Sequence, residues 1–390
     1  MEVGWPAWGA AFVGALALSG LLTPLMLRVA LRRRLLDEPG GHKSHASPVP
    51  YLGGVAIALG FAAAVAVVAL LDPPGSGLAD LWLLLGAAVG LALVGLVDDL
   101  RGLGVTVRLL AQAGAGVAAW AAASGVGIFA VEPLNLALTV LWVVGVTNAL
   151  NLLDNMDGLS AGVASVSAAT LFALAALNGQ FLVAGLAAAV AGTALGFLRH
   201  NFHPARIYMG DAGSLFLGFL LAVLAARLRL TEMPQATAVF VPVLALGVPI
   251  FDTTLVVINR LRHGISPFTG GKDHTSHRLT AVGIPVPVAV LLIYLAAVGL
   301  GWLAVLLARL DLVSGLMLVA FVLTGGALVL WLLSLVPVYA SSRQPQRMMR
   351  LVDNGDATAG TNGHAPSDED AGRAADDDAD ARDPSTTRDG

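Results

Sequence analysis

From residue 7 to residue 338 the chain alternates long apolar runs with short polar loops. A membrane-crossing helix needs about 20 predominantly apolar residues. Eleven runs meet or approach that length, at 7–31, 51–71, 79–97, 105–124, 134–152, 159–177, 180–198, 213–231, 236–258, 284–308 and 313–338. The sixth and seventh are parted only by an Asn178-Gly179 turn. The expected fold is an all-α polytopic membrane protein, a bundle of about 11 transmembrane helices with its polar motifs in the loops. Residues 1–340 are expected to form this domain. From Asp353 onward Asp, Gly, Thr, Ala and Ser dominate without apolar periodicity, so 341–390 is expected to be a disordered acidic tail.

Composition agrees with a membrane protein. The 390 residues are 57% hydrophobic and 12% charged, with a mean hydropathy of +0.79, against about 25% charged for a soluble domain. The formal net charge of −4 conceals an asymmetry: 11 of the 26 acids follow Val352, which leaves the apolar part basic. There is no cysteine, which excludes a disulfide framework and thiolate metal sites. The first run follows Glu2, lacks a basic leader and ends at Arg32-Arg33-Arg34, so it reads as a first spanning helix. With the N-terminus outside, Arg101, Arg108, Arg199, Arg206, Arg260, Arg262, Lys272 and Arg278 all fall on the inner face. Only Arg227, Arg229 and Arg309 fall outside, as the positive-inside rule requires. The same count brings five polar motifs to the inner face.

The central motif is Asn148-Ala-Leu-Asn151-Leu-Leu-Asp154-Asn-Met-Asp157-Gly158. Ionisable groups at membrane depth are costly, by about 2.5–3.5 kcal/mol on insertion scales, and mark function by default. Its donors are all oxygens, the set that hard Mg²⁺ takes; a network of Asn side chains between helices would account for the amides but not for the acids. Asp98-Asp99 close the third run, where two carboxylates repel each other and the C-terminal end of the helix dipole, favouring a shared cation or proton. Asp211 lies between Gly210 and Gly213 ahead of the eighth run, where a plain N-cap is the simpler reading and Ser214 is a second candidate cap. Lys43 and His45 precede Pro48-Val49-Pro50 in a basic loop suited to phosphate contacts. Asp252 reads as a support behind the site, and Lys272, His274, His277 and Arg278 lie in a long loop with Gly270-Gly271. His203 and His263 read as ordinary interfacial residues. HExxH, P-loop and Gly-x-Ser-x-Gly patterns are absent, and nothing indicates nucleic-acid binding.

Together, in order, these stretches resemble the polyprenyl-phosphate N-acetylhexosamine-1-phosphate transferase superfamily of glycosyltransferase family 4 type, over about residues 20–285. The Arg278-Leu279 ending is most like the bacterial UDP-GlcNAc:undecaprenyl-phosphate branch. The resemblance implies ten or eleven helices and a cytoplasmic Mg²⁺ site, Mn²⁺ being an alternative. It implies Asp98, Asp99 and Asp154 as catalytic carboxylates, one of the first two a candidate base for the lipid phosphate. Asn151 and Asp211 become the metal ligands. Lys43, His45, Asp157, His274, His277 and Arg278 become substrate-binding residues, Asp157 toward the uracil and the last three toward the diphosphate. Two positions depart from the family pattern: Asn155 stands where Gly is common, and Ser276 where a His is usual.

The reaction so implied moves a sugar-1-phosphate from a UDP-sugar to polyprenyl phosphate, a first membrane step in cell-envelope glycan synthesis. Its partners are that donor, the lipid and the membrane, with a homodimer as a family-level expectation. Direct displacement by the lipid phosphate is preferred to a covalent aspartyl intermediate. Two alternatives stand: a phospho-N-acetylmuramoyl-pentapeptide transferase, and a proton- or ion-coupled transporter, which would want its acids near the midplane.

Overall fold

The apolar runs fold as helices whose bounds follow the hydropathy closely. In order these are α1 (Trp5–Arg33), α2 (Gly53–Leu71), α3 (Leu78–Arg101), α4 (Val105–Ala121), α5 (Glu132–Leu153), α6 (Leu159–Leu177), α7 (Phe181–Asn201) and α8 (Gly210–Arg227). After α8 come α9 (Gln235–Ala238), α10 (Phe240–Ala245), α11 (Gly247–Arg262), the short α12 (Thr275–Ala281), α13 (Val286–Leu307) and α14 (Leu312–Ser334). The computed structural model describes residues 5–37, 48–71, 77–231 and 233–339, so the expectations for Lys43, His45 and the 341–390 tail lie outside the described residues.

Among the described residues nine helices are long and apolar enough to cross a bilayer, and a bent pair over α9–α11 makes ten. The 17-residue α4 is at the lower end of the ~17–25 residues that span, and with it the eleven runs are accounted for. The ninth run differs from expectation. It is not one helix over 236–258 but a break between 245 and 247 with an 81° bend. Pro242 and Pro249 each remove a backbone donor, Pro249 crowds the carbonyl four residues back, and Gly247 adds little helix propensity.

Apolar burial is uneven, and the unevenness locates the core. From Ala212 to Ala225 every residue of α8 is buried, as expected of a helix apolar all round. It packs against α2, α3, α5, α6 and α7. At the other extreme, α14 leaves Met317 69% and Phe321 73% exposed, an apolar surface suited to lipid. The N-terminal end of α8 is therefore a polar start to a helix otherwise surrounded by apolar neighbours.

Strands β1 (Leu36–Asp37) and β2 (Val49–Pro50) pair antiparallel and lead the chain into α2. Three backbone bonds then tie the start of α2 to the segment ahead of α8. Tyr208 donates to the Pro50 carbonyl at 2.9 Å, Gly53 to that of Tyr208 at 3.0 Å and Gly54 to that of Met209 at 2.9 Å. Contact is so close that a Cβ on Gly54 would come within 2.1 Å of the Gly213 nitrogen. Backbone on both sides cannot yield as a flexible side chain would. Gly54→Ala should therefore lower the detergent unfolding temperature, by a stability loss of ~1–3 kcal/mol typical of overpacking. Gly86→Ala, where an added methyl meets nothing within 4 Å, should be close to neutral in the same measurement.

Candidate active site

The acid pair at the end of α3 sits where a helix dipole disfavours it, and the fold compensates from two neighbours. Asp99 accepts from the backbone N–H groups of Asp211 at 2.9 Å and Ala212 at 3.2 Å. It thereby satisfies donors that the first turn of α8 cannot use internally, and it meets the positive end of that helix. Asp211 is thus not the N-cap of α8, which starts one residue earlier; Ser214 lies inside the helix and donates to the Gly210 carbonyl at 3.1 Å. Gly210 adopts φ +65°, and a Cβ there would strike the Asp99 carboxylate. Glycine is required twice over.

Asp98 is held differently. It accepts from the Leu103 N–H and from Arg108 Nη1 at 2.7 Å. The same Arg108 nitrogen reaches Asp211 at 2.9 Å. Asn151, on the last turn of α5, donates to Asp211 at 2.8 Å and to Ser214 Oγ at 2.9 Å. Asp98, Asp99, Asn151 and Asp211 therefore form one hydrogen-bonded cluster from three helices. Arg108, which the sequence did not single out, and Ser214, which it offered only as a helix cap, are part of it. Asn148 is not: it pairs with buried Gln112 of α4 at 2.5 Å, the plain interhelical amide contact.

Among the described residues, one guanidinium joins two acids of the cluster. Arg108 is the guanidinium that bridges Asp98 and Asp211. Asp154 caps the C-terminal end of α5. Burial pushes its carboxyl up to about 8, and the charges of Asp211, Asp99 and Asp157 push the same way. A carboxyl raised that far holds its proton at neutral pH, which relieves part of the crowding.

Beyond Asp154 the chain turns into α6, and this turn is held from three sides. Gly158, at φ +78°, donates its N–H to Asn201 Oδ1 at 3.1 Å. Tyr294 donates to its carbonyl at 2.5 Å. Asp157 accepts from the Ala205 N–H at 3.0 Å and pairs with His203 Nδ1 at 2.8 Å. His203 is thus a partner of a candidate site residue, which a lone histidine in a polar loop gave no means of telling.

The last loop is tied to this turn through Ser276, whose hydroxyl donates to Asn155 Oδ1 at 2.6 Å. The two positions that depart from the family pattern therefore touch each other. His274 is buried, with Nδ1 2.7 Å from Asp252, whose other oxygen accepts from the Thr275 N–H at 2.7 Å. Asp252 thus fixes ring orientation and favours the tautomer with the proton on Nδ1. Arg260 grips Asp273 with two bonds of 2.8 and 2.7 Å, and Tyr339 donates to the same carboxylate at 2.7 Å. Burial alone would raise the Asp273 carboxyl, but Arg260 and Tyr339 hold it below the ordinary range.

Arg278 has a structural role in this loop. It is 1% exposed, and its guanidinium donates to the carbonyls of Asp273 at 2.9 Å, Leu333 at 2.8 Å and Val336 at 3.1 Å. The short α12 turns this side chain inward, onto the carbonyls of Leu333 in the last turn of α14 and of Val336 just beyond it. Through these bonds Arg278 anchors the loop. His277 remains half-buried, and its imidazole is pushed down to about 4 by burial, then by His274 and Lys272. At neutral pH it is an uncharged donor, not a cation.

Two outcomes follow from this geometry. Arg278→Lys should lower the unfolding temperature, because a point charge cannot serve three carbonyls in fork geometry; hydrogen bonds to charged groups contribute ~1.5–3 kcal/mol each. A folded-state His277 pKa below the unfolded one means that the unfolded chain binds the extra proton between about pH 6.5 and about 4. Stability falls as pH drops through that window. His277→Gln should flatten this part of the pH–melting curve, and an unchanged slope would remove His277 as its source.

Comparison with known proteins bears on this arrangement. The glycosyl transferase family 4 pattern matches residues 81–229, which hold Asp98, Asp99, Asn151, Asp154, Asp157 and Asp211. A probable undecaprenyl-phosphate N-acetylglucosaminyl 1-phosphate transferase of Bacillus subtilis is 34% identical over 297 residues, 73% of this chain and 80% of the relative. A decaprenyl-phosphate N-acetylglucosaminephosphotransferase of Mycobacterium leprae is 31% identical over 369 residues, 85% of this chain and 92% of the relative. An undecaprenyl-phosphate alpha-N-acetylglucosaminyl 1-phosphate transferase of Yersinia pestis is 28% identical over 320 residues, 76% and 85% of the two chains. Likeness at this level extends well beyond the motifs into the helices that carry them. The chain belongs to the polyprenyl-phosphate sugar-1-phosphate transferases of glycosyl transferase family 4.

Proposed function

We propose that this protein transfers N-acetylglucosamine-1-phosphate from UDP-GlcNAc to a polyprenyl phosphate in the membrane, releasing UMP. An oxygen of the lipid phosphate attacks the sugar-bearing phosphorus, and the bond from that phosphorus to the UMP oxygen breaks. The product is a polyprenyl-diphosphate sugar. The observation that carries this reading is the joining of Asp98, Asp99, Asn151 and Asp211, from three separate helices, around one arginine.

Such chemistry depends on positioning and charge neutralisation more than on covalent help. A divalent cation is implied by the family, and the donor set fits one: carboxylate and carboxamide oxygens. Among the described residues no three His, Asp or Glu side chains already converge as a metal cage. Mg²⁺ commonly takes one or two protein ligands and completes its shell with phosphate and water. Asp211 and Asn151 would supply those ligands, and the cation when bound neutralises the nucleotide diphosphate. One of Asp98 and Asp99 takes the proton of the lipid phosphate. Arg108, already between Asp98 and Asp211, offers a guanidinium to developing phosphoryl charge. His274 and His277 present imidazole donors from the last loop, and Asp157 on its braced turn meets the base of the nucleotide. Orientation follows the arginine distribution, with the acid cluster and the C-terminal tail inside and the N-terminus outside.

The test supplies purified protein and polyprenyl phosphate with radiolabelled UDP-GlcNAc, UDP-GalNAc or UDP-MurNAc-pentapeptide. Label should pass to lipid from UDP-GlcNAc with stoichiometric UMP, be lost on chelation and return with Mg²⁺ or Mn²⁺. Asp211→Ala should cost about 10²–10³-fold in kcat or more, on the scale of losing a preorganised charge contact. Labelled lipid from the pentapeptide donor alone would assign the muramoyl reaction. Ion flux in proteoliposomes with no UMP release would favour the transporter.

A further inference from the structure

A second polar site lies at the other end of the bundle. Asp80 opens α3 and Asp98 closes it, so the two ends stand roughly 27 Å apart at 1.5 Å per residue. Around Asp80 is a cavity of about 740 Å³, within the ~300–1,000 Å³ of ligand sites. Its walls are apolar, with Trp8 and Ala11 from α1, Val65 and Val68 from α2, and Phe181 from α7. Trp8 stacks on Phe181 with centroids 5.5 Å apart and donates its indole N–H to the Phe181 carbonyl at 3.0 Å. That wall is firmly held.

Among the described residues its charged lining is mainly cationic. Arg227 and Arg229 both line the cavity, against Asp80 as the acid. Arg227 has a side chain 18% exposed; Nη1 donates to Ser124 Oγ at 3.0 Å, while Nη2 stands 4.0 Å from Asp80, at the limit of an ion pair. Arg229 is exposed, and its backbone is fixed by two bonds to the Gln180 side chain, at 2.9 and 2.7 Å. These are two of the three arginines that the topology count places on the arginine-poor side. They meet at one cavity instead of scattering. Beside it, Leu70 and Leu71 at the end of α2 are 76% and 82% exposed, an apolar surface for acyl chains and not for water.

We propose that this cavity binds an anionic phospholipid of the adjoining leaflet, its phosphate on Arg227 and Arg229 and one acyl chain along the wall of α1, α2 and Phe181. An amphiphile with a negative head matches both halves of the site. A soluble anion would use the arginines and leave the apolar wall unfilled. A zwitterionic lipid would fill the wall and bring no net charge to the guanidinium pair.

The full chain, purified in detergent and depleted of lipid, is titrated with palmitoyl-oleoyl phosphatidylglycerol, the matching phosphatidylcholine, or inorganic phosphate. Binding is read by native mass spectrometry and by the shift in unfolding temperature. Phosphatidylglycerol should bind and stabilise, and the other two should not. Each arginine near an anionic headgroup is worth about fivefold in affinity. Arg229→Gln should thus weaken binding about fivefold and the Arg227→Gln/Arg229→Gln pair about 25-fold. Arg309→Gln, at an exposed arginine away from the cavity, should leave it unchanged. Sugar-phosphate transfer by the variants in lipid-free detergent should match the wild type, since neither residue belongs to the acid cluster. If the double variant fails to fold, Arg229→Gln decides, its side chain being exposed. Equal binding of the two lipids, full retention in Arg229→Gln, or equal stabilisation by phosphate alone would overturn the proposal.

Discussion

The bond on which this architecture turns is the one between the Asp99 carboxylate and the first amides of α8. Taken alone, each partner is badly placed. Acids at the C-terminal end of α3 face the negative pole of their own helix, and the N-terminus of an otherwise buried α8 leaves donors without intrahelical acceptors. Brought together they solve each other's problem, and in doing so they put Asp211 beside Asp98. Gly210 makes the approach possible, because any side chain there would occupy the carboxylate's position. From this contact the position of Asn151 on α5 and of Arg108 on α4 follows by hydrogen bonding.

Much of this was legible in the chain itself, for a physical reason. Bilayer thickness turns helix length into a count of apolar residues, so ten of the eleven runs emerged close to where hydropathy put them. Acids that resist burial were legible as well, since their cost inside a membrane leaves few bland explanations. What escaped was pairing. Nothing in the sequence tells that Arg108, 103 residues before Asp211, bridges it to Asp98. Nor does it tell that His203 answers Asp157, or that Asn201 and Tyr294 hold the Gly158 turn. Side-chain direction escaped too: Arg278 has the composition of a phosphate contact, and only the inward turn of α12 commits it to carbonyls of α14. The break in the ninth run could have been weighed from Pro242, Gly247 and Pro249, but hydropathy does not register backbone geometry.

Loop and bundle are coupled through that break. A straight ninth span would run from one face to the other, as its neighbours do. Bent by 81°, α11 instead brings Asp252 under His274 and Arg260 under Asp273, so two buried charges support the loop from below. Irregular backbone at this depth is tolerated where protein covers it, and α13 and α14 pack on α11. α14 contributes in the same way, through Leu333, Val336 and the residues that follow it, ending in Tyr339 on Asp273.

This division of labour has an electrostatic consequence. Around the last loop, charge is matched: Arg260 with Asp273, His274 with Asp252, and Arg278 with helix-end carbonyls. Matched, buried groups of this kind rigidify and leave little field outside themselves. Around Asp98, Asp99, Asp154 and Asp211 carboxylates crowd together, and burial with the neighbouring acids favours the protonated form of Asp154. Crowded carboxylates of this kind suit a site that receives positive charge. The neutral loop and the charged cluster thus have complementary tasks, the one to hold direction-specific donors still, the other to hold open a place for positive charge.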